Sequence, residues 1–132
     1  MDENEKKELV SVIDSGWFTE AKKTQEFETL FSKFTRSKFA CATTSGTTGL
    51  FLALKALGIK RNDEVLVPDL TFVASANAIV ETGAKPIFVD IETRTLNIDL
   101  DKIEQKITSK TKAIMVVNFN GRVTNFDRLK NI

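Results

Sequence analysis

No histidine occurs among these 132 residues. That absence excludes Ser-His-Asp and Cys-His catalysis, histidine-ligated zinc and an imidazole general base. There is one cysteine, Cys41, so no internal disulfide and no Cys/His metal site can form. No apolar run approaches the ~20 residues of a membrane-spanning helix. The opening Met1-Asp2-Glu3-Asn4-Glu5 is acidic, unlike the basic start of a secretory signal. Neither sign of charge dominates: 19 Lys and Arg against 18 Asp and Glu leave a net charge of +1. Nucleic acid and acidic membrane surfaces therefore have no electrostatic claim on the chain. Internal repeats, linkers and low-complexity stretches are also missing. The expectation is a cytoplasmic protein with no metal site.

What is present is ordinary globular composition, 42% apolar and 28% charged, enough for one domain with a real core. A short polar helix is expected over residues 3–14, and Ser15-Gly16-Trp17-Phe18-Thr19 interrupts it as a turn. A second helix over 21–35 places Phe27, Leu30, Phe31 and Phe34 on one face, at helical spacing. Phe39–Thr43 reads as a short strand, with Cys41 buried inside it. A helix over 48–57 would turn Leu50, Phe51, Leu54 and Leu57 inward and end at Gly58. Glu64–Val67 reads as a strand stopped by Pro68. Thr71 is expected to cap a helix over 72–82, with Phe72, Val73, Ala76, Ile79 and Val80 inward and Gly83 at its end. Further strands are expected over 86–91 and 112–118. Between them Asp99 caps a short helix burying Leu100, Ile103 and Ile107, and another helix begins at Phe126. Strand and helix alternate, and the strands are almost continuously apolar. This is the pattern of an α/β fold, a mostly parallel sheet flanked by helices.

Thr44-Ser45-Gly46-Thr47-Thr48-Gly49 joins the strand at 39–43 to the helix after it. The first N–H groups of a helix lack intrahelical partners and carry partial positive charge, so a phosphate group fits there. The dipole alone contributes ~0.3–2 kcal/mol to such an anion. Residues without bulk let the anion approach the backbone. The same residues also make an ordinary strand-to-helix turn. They complete neither a dinucleotide fingerprint nor a Walker loop. Phe72 follows the strand end at Pro68. It serves either as the first core residue of its helix or as a ring stacking on a planar ligand. Trp17 is either a surface anchor or an aromatic at a pocket mouth or subunit contact. Asp69 and Asp90, also after strand ends, are either catalytic acids or, as most acids in such places are, caps of helices or turns.

These residues add up to a specific pattern. Ser15-Gly16-Trp17-Phe18-Thr19, Thr44-Ser45-Gly46-Thr47-Thr48-Gly49-Leu50, Asp63-Glu64-Val65-Leu66-Val67-Pro68, Thr71-Phe72-Val73-Ala74 and Gly83-Ala84-Lys85-Pro86-Ile87-Phe88-Val89-Asp90-Ile91 occur in order. Their spacing resembles the N-terminal part of the DegT/DnrJ/EryC1/StrS family of sugar aminotransferases. The resemblance implies the N-terminal part of the large domain of a fold-type I, aspartate aminotransferase-like enzyme that uses pyridoxal 5'-phosphate. It implies that Ser45, Gly46, Thr47 and Thr48 hold the cofactor phosphate and that Phe72 stacks on the pyridine ring. Trp17 would lie near the substrate. The implied reaction is amino transfer from an amino acid such as glutamate to a nucleotide-linked keto sugar, in a homodimer. Residues 1–36 would form an N-terminal helical segment and residues 37–132 an incomplete cofactor-binding domain.

The resemblance covers nearly all of the chain, but the chain covers less than half of a family enzyme. The family's Schiff-base lysine and its ring-nitrogen acid match no residue here, so no catalytic residue is assigned and the chain alone is expected to be inactive. Asn118 and Asn120 stand where the family commonly has histidine and tyrosine before the glycine. A dehydratase of the same family, or a non-catalytic product of a split or decaying gene, are the alternatives. The strand at 39–43 would lack its partner, and an unpaired apolar strand is expected to make the isolated chain poorly soluble.

Overall fold

Val65, Leu66 and Val67 are fully buried because the strand that carries them is covered on both faces. This strand, β1 (Glu64–Pro68), is the centre of a three-stranded parallel sheet between β2 (Lys85–Val89) and β3 (Thr111–Ile114). Side chains alternate across a strand. Val65 and Val67 meet Leu54, Ile59, Ala78 and Ile79 on one face. Leu66 meets Val89, Ile98 and Ile103 on the other. Each such side chain contributes about 1.5–3 kcal/mol on full burial. Pro86 pairs with Val65 from the edge strand β2, where a missing N–H is tolerated.

The computed structural model describes residues 2–19 and 22–132. The chain divides into two units, Met1–Ala42 and Thr43–Ile132. The first contains α1 (Glu3–Ser15), closed by a capping box at Asp2 and by Gly16 in a left-handed conformation, and α2 (Lys22–Thr35). The expected helix start at residue 21 lies outside the described residues. Neither helix buries a side chain. The aromatic face of α2 forms at the expected spacing, with the Phe27 and Phe31 rings 5.7 Å apart, yet it is exposed.

In the second unit α3 (Gly46–Ala56) and α4 (Ala74–Glu81) pack on each other and on the Val65 face. The short helices α5 (Leu100–Ile103) and α6 (Phe126–Leu129) follow β2 and β3. Ile103 of α5 and Leu129 of α6 cover the Leu66 face. The turn after α3 and the turn before β2 meet at the amino edge of the sheet. A methyl group on Gly83 would come within 3.3 Å of Arg61 Cα, and Lys85 N–H donates to the Asp63 carbonyl at 2.9 Å. Both helices therefore run back from the carboxyl edge, and both begin there.

Several expectations are corrected. Residues 39–43 are not a strand. No described strand runs beside them, and Ala42 N–H donates instead to Glu28 Oε1 at 2.8 Å, so Cys41 is exposed rather than buried. Helix α3 starts at Gly46, two residues early, because Ser45 caps it. Leu57 is 72% exposed, since it is the C-cap and the chain already turns there into Gly58 (φ 79°). Helix α4 starts two residues late, and Ala74, Ser75, Ala78 and Ile79 face inward instead of Phe72, Val73 and Val80. Strand β1 takes in Pro68, which pairs with Val89. Strand β3 ends at Ile114, although Met115 N–H still reaches the Leu66 carbonyl at 2.7 Å. Strand β2 ends at Val89, and Ile91 turns to pair antiparallel with Ile98. Ile107 stays 42% exposed beyond the short helical turn.

Candidate functional site

The carboxyl edge of the sheet is where α3 and α4 begin, and it holds both expected cofactor elements. Ser45 is extended (φ −161°, ψ 162°) and its hydroxyl accepts from Thr48 N–H at 3.1 Å. Its carbonyl accepts from Gly49 N–H at 3.0 Å and from the Thr43 hydroxyl at 2.9 Å. These bonds fix the turn from within. The Thr48 hydroxyl lies 3.0 Å from Ser45 Oγ and 3.3 Å from Thr44 Oγ1, so three hydroxyls cluster at the helix start. Gly46 and Thr47 are the first residues of the helix, where N–H groups have no intrahelical acceptor. Both are exposed.

Gly46 carries the sharper observation. Its φ is not left-handed, and a Cβ placed on it would meet nothing within 4 Å. Neither backbone strain nor protein packing requires glycine there. The space beside it is open. Chemically, a helix start of this kind can accept an anion with several oxygens.

Phe72 lies in the β1–α4 connection with its side chain 78% exposed, so it is not the first core residue of α4. Thr71 does not cap that helix. The N-cap position is Val73, which makes no side-chain cap bond, and Thr71 Oγ1 lies 2.8 Å from Ser75 Oγ. Trp17 belongs to the other unit. It is 64% exposed and lines a groove of about 670 Å³ with Ser11, Val12 and Lys22.

The two acids after strand ends behave as turn residues. Asp90 accepts from Ile91 N–H at 2.9 Å and from Lys102 Nζ at 2.5 Å. The Lys102 hydrogen bond, followed by the Ile91 N–H, holds the Asp90 carboxyl below its ordinary range. Lys102 is raised in turn, chiefly by the same hydrogen bond. Asp69 is exposed, and its N–H bonds the Val89 carbonyl at 3.0 Å.

Asn118 and Asn120 hold a turn. Asn118 Oδ1 accepts from Thr124 N–H at 2.9 Å, and Asn120 is left-handed (φ 52°) beside Gly121 (φ 74°), a conformation asparagine tolerates better than most residues. Asn97 escaped notice in the sequence. It is 4% exposed. Its amide donates to the Arg122 carbonyl at 2.8 Å and accepts from Phe119 N–H at 2.9 Å, tying the loop after β2 to the loop after β3. Its partners lie 22 and 25 residues away, so no local pattern announces them.

The DegT/DnrJ/EryC1/StrS aminotransferase family matches residues 1–132. The chain belongs to this family. Its relatives include the GDP-perosamine synthase of Vibrio cholerae, 42% identical over 133 residues that cover 100% of this chain and 36% of that protein. Among solved structures, the Streptococcus pneumoniae protein Spr1654, described as a sugar aminotransferase and solved in its PMP form, matches with a TM-score of 0.96 and 39% identity. It is covered over 100% of this chain and 33% of its own. The Escherichia coli GDP-4-keto-6-deoxy-D-mannose-3-dehydratase, solved with bound hydrated PLP, matches with a TM-score of 0.94 and 35% identity, over 99% of this chain and 35% of its own. The chain thus spans about a third of the length of these family members. Its fold is that of the N-terminal portion of the large domain of these fold-type I enzymes.

Proposed function

We propose that this chain is the part of a pyridoxal-phosphate-dependent aminotransferase that receives the cofactor. The complete enzyme would transfer an amino group from a donor such as glutamate to a nucleotide-linked keto sugar. The observation that carries the reading is Gly46, whose Cβ direction is open at the exposed start of α3, where the first N–H groups lack intrahelical acceptors. Membership in an aminotransferase family and relatives solved with PLP or PMP supply the identity of the anion. The residues fit that group. Gly46 and Thr47 N–H groups and the hydroxyls of Ser45, Thr47 and Thr48 would hold the phosphate, and Phe72 would lie against the ring. Bound there, the cofactor supplies an electron sink for the amino acid's Cα. The chain's own residues bind it, orient its plane and shield one face from water.

Trp17 would stand toward the substrate. The complete enzyme would be a cytoplasmic homodimer with residues 1–36 as a helical segment and 37–132 as part of the cofactor domain. No residue of this chain is assigned to the imine-forming lysine or to the acid beside the ring nitrogen. A dehydratase of the same family is the second reading, favoured by the likeness to the E. coli dehydratase. Incubating the complete enzyme with keto sugar and glutamate separates the two, through an amino-sugar or a deoxy-sugar product.

Calorimetry with pyridoxamine phosphate and with inorganic phosphate on the complete apoenzyme tests the cofactor site. The expected result is saturable binding of both, in competition. Gly46→Val should abolish both by filling the open space. Phe72→Leu should weaken pyridoxamine phosphate and leave phosphate unchanged. Equal affinity of wild type and Gly46→Val for pyridoxamine phosphate would overturn the reading.

A further inference from the structure

An exposed phenylalanine on a loop is held in place only if its backbone is held. Phe72 is bracketed by one residue. Ser75 N–H donates to the Phe72 carbonyl at 3.0 Å, and Ser75 Oγ lies 2.8 Å from Thr71 Oγ1. The serine thus grips the chain on both sides of Phe72. Ser75 is 6% exposed and Thr71 half-buried, so water competes little for the hydroxyl pair. The next bond, from Asn77 N–H to the Val73 carbonyl at 3.0 Å, starts the helix ladder. At the other end, Asp69 N–H is tied to the Val89 carbonyl. Between these anchors only Leu70, Thr71 and Phe72 span the gap. Helix α4 has no side-chain cap of the usual kind, so the hydroxyl pair is the device that sets how its first turn leaves the strand.

We infer that Thr71 and Ser75 are positioning residues that hold the Phe72 ring over the cofactor plane. The inference rests on the proposed cofactor site. Neither hydroxyl touches the phosphate turn in this arrangement, so they should act on ring recognition and not on phosphate recognition.

The test uses the complete apoenzyme with Thr71→Val, Ser75→Ala and the conservative Thr71→Ser. Pyridoxamine phosphate and inorganic phosphate are titrated separately, and the ring-current shift of the bound pyridine protons is read by NMR. Loss of one hydrogen bond should weaken pyridoxamine phosphate roughly three- to tenfold and reduce the ring-current shift. Phosphate affinity should stay unchanged, and Thr71→Ser should restore the wild-type values. Backbone order parameters of the ligand-free enzyme form a separate arm. They should fall at Phe72 and Val73 in Thr71→Val and stay level in α3. Unchanged order and an unchanged ring-current shift in both Thr71→Val and Ser75→Ala would overturn the clamp, as would an equal loss of phosphate affinity. If wild type takes up no pyridoxamine phosphate, the cofactor reading fails, while order at Phe72 still decides the clamp.

Discussion

Two glycines in the second unit are glycine for opposite reasons. Gly83 is left-handed (φ 86°) and its missing Cβ lies 3.3 Å from the Arg61 backbone. Gly83→Ala should therefore cost about 1–3 kcal/mol, from strain at the left-handed position. Gly46 is free of both constraints, and Gly46→Ala should leave stability level or raise it by up to about 1 kcal/mol, since alanine has the better helix propensity. Urea unfolding of the two variants checks the contrast. A loss at Gly46 equal to that at Gly83 would show that the protein's own fold demands the glycine, leaving no reason to invoke a ligand. The sequence marked Gly83 as a helix end and Gly46 as part of a turn suited to phosphate. Whether a glycine serves a turn or an open space depends on what stands beside it, and that comes from other elements.

Helix α5 is four residues long and too short to persist by its own ladder. Asp99 caps it through Asp101 N–H at 3.0 Å. Lys102 joins it to Asp90 at the end of β2. Because the folded Asp90 carboxyl titrates below its ordinary 3.8, its contribution is present above that value and lost as pH falls through the depressed one. Lys102 is raised from 10.5, so its contribution is complete below that value and lost as pH rises through the raised one. Both groups are solvent-exposed, and salt will screen them. Asp90→Asn should make the fall of stability in acid shallower without changing its course near neutrality. Urea titrations carried downward from neutral pH test this. An unchanged acid limb would remove Asp90 from the account.

At the scale of the whole molecule, burial is uneven. Strand β1 is sealed on both faces, whereas α1 and α2 bury nothing and show Leu9, Ile13, Leu30 and Phe34 to solvent. Helices of 13 and 14 residues are marginal in water without tertiary support. Hydrogen exchange on the 132-residue chain should give the highest protection in β1 and little in α1 and α2. Protection in α2 equal to that in β1 would mean that its aromatic face is covered in solution.

Local chemistry was enough to determine the alternation of strand and helix, the Asp99 cap, the Gly58 stop, the aromatic face of α2 and the small-residue turn that opens α3. Each depends on propensity, capping or period within a few residues. Tertiary structure decided what needs a neighbour. Phe39–Thr43 has strand composition, and among the described residues no strand runs beside it. Val65 and Leu66, adjacent in sequence, enter different cores because side chains alternate across a doubly covered sheet. Phe72 looks like a core residue by helical period, yet α4 starts two residues later, at Ala74, and the ring is left outside.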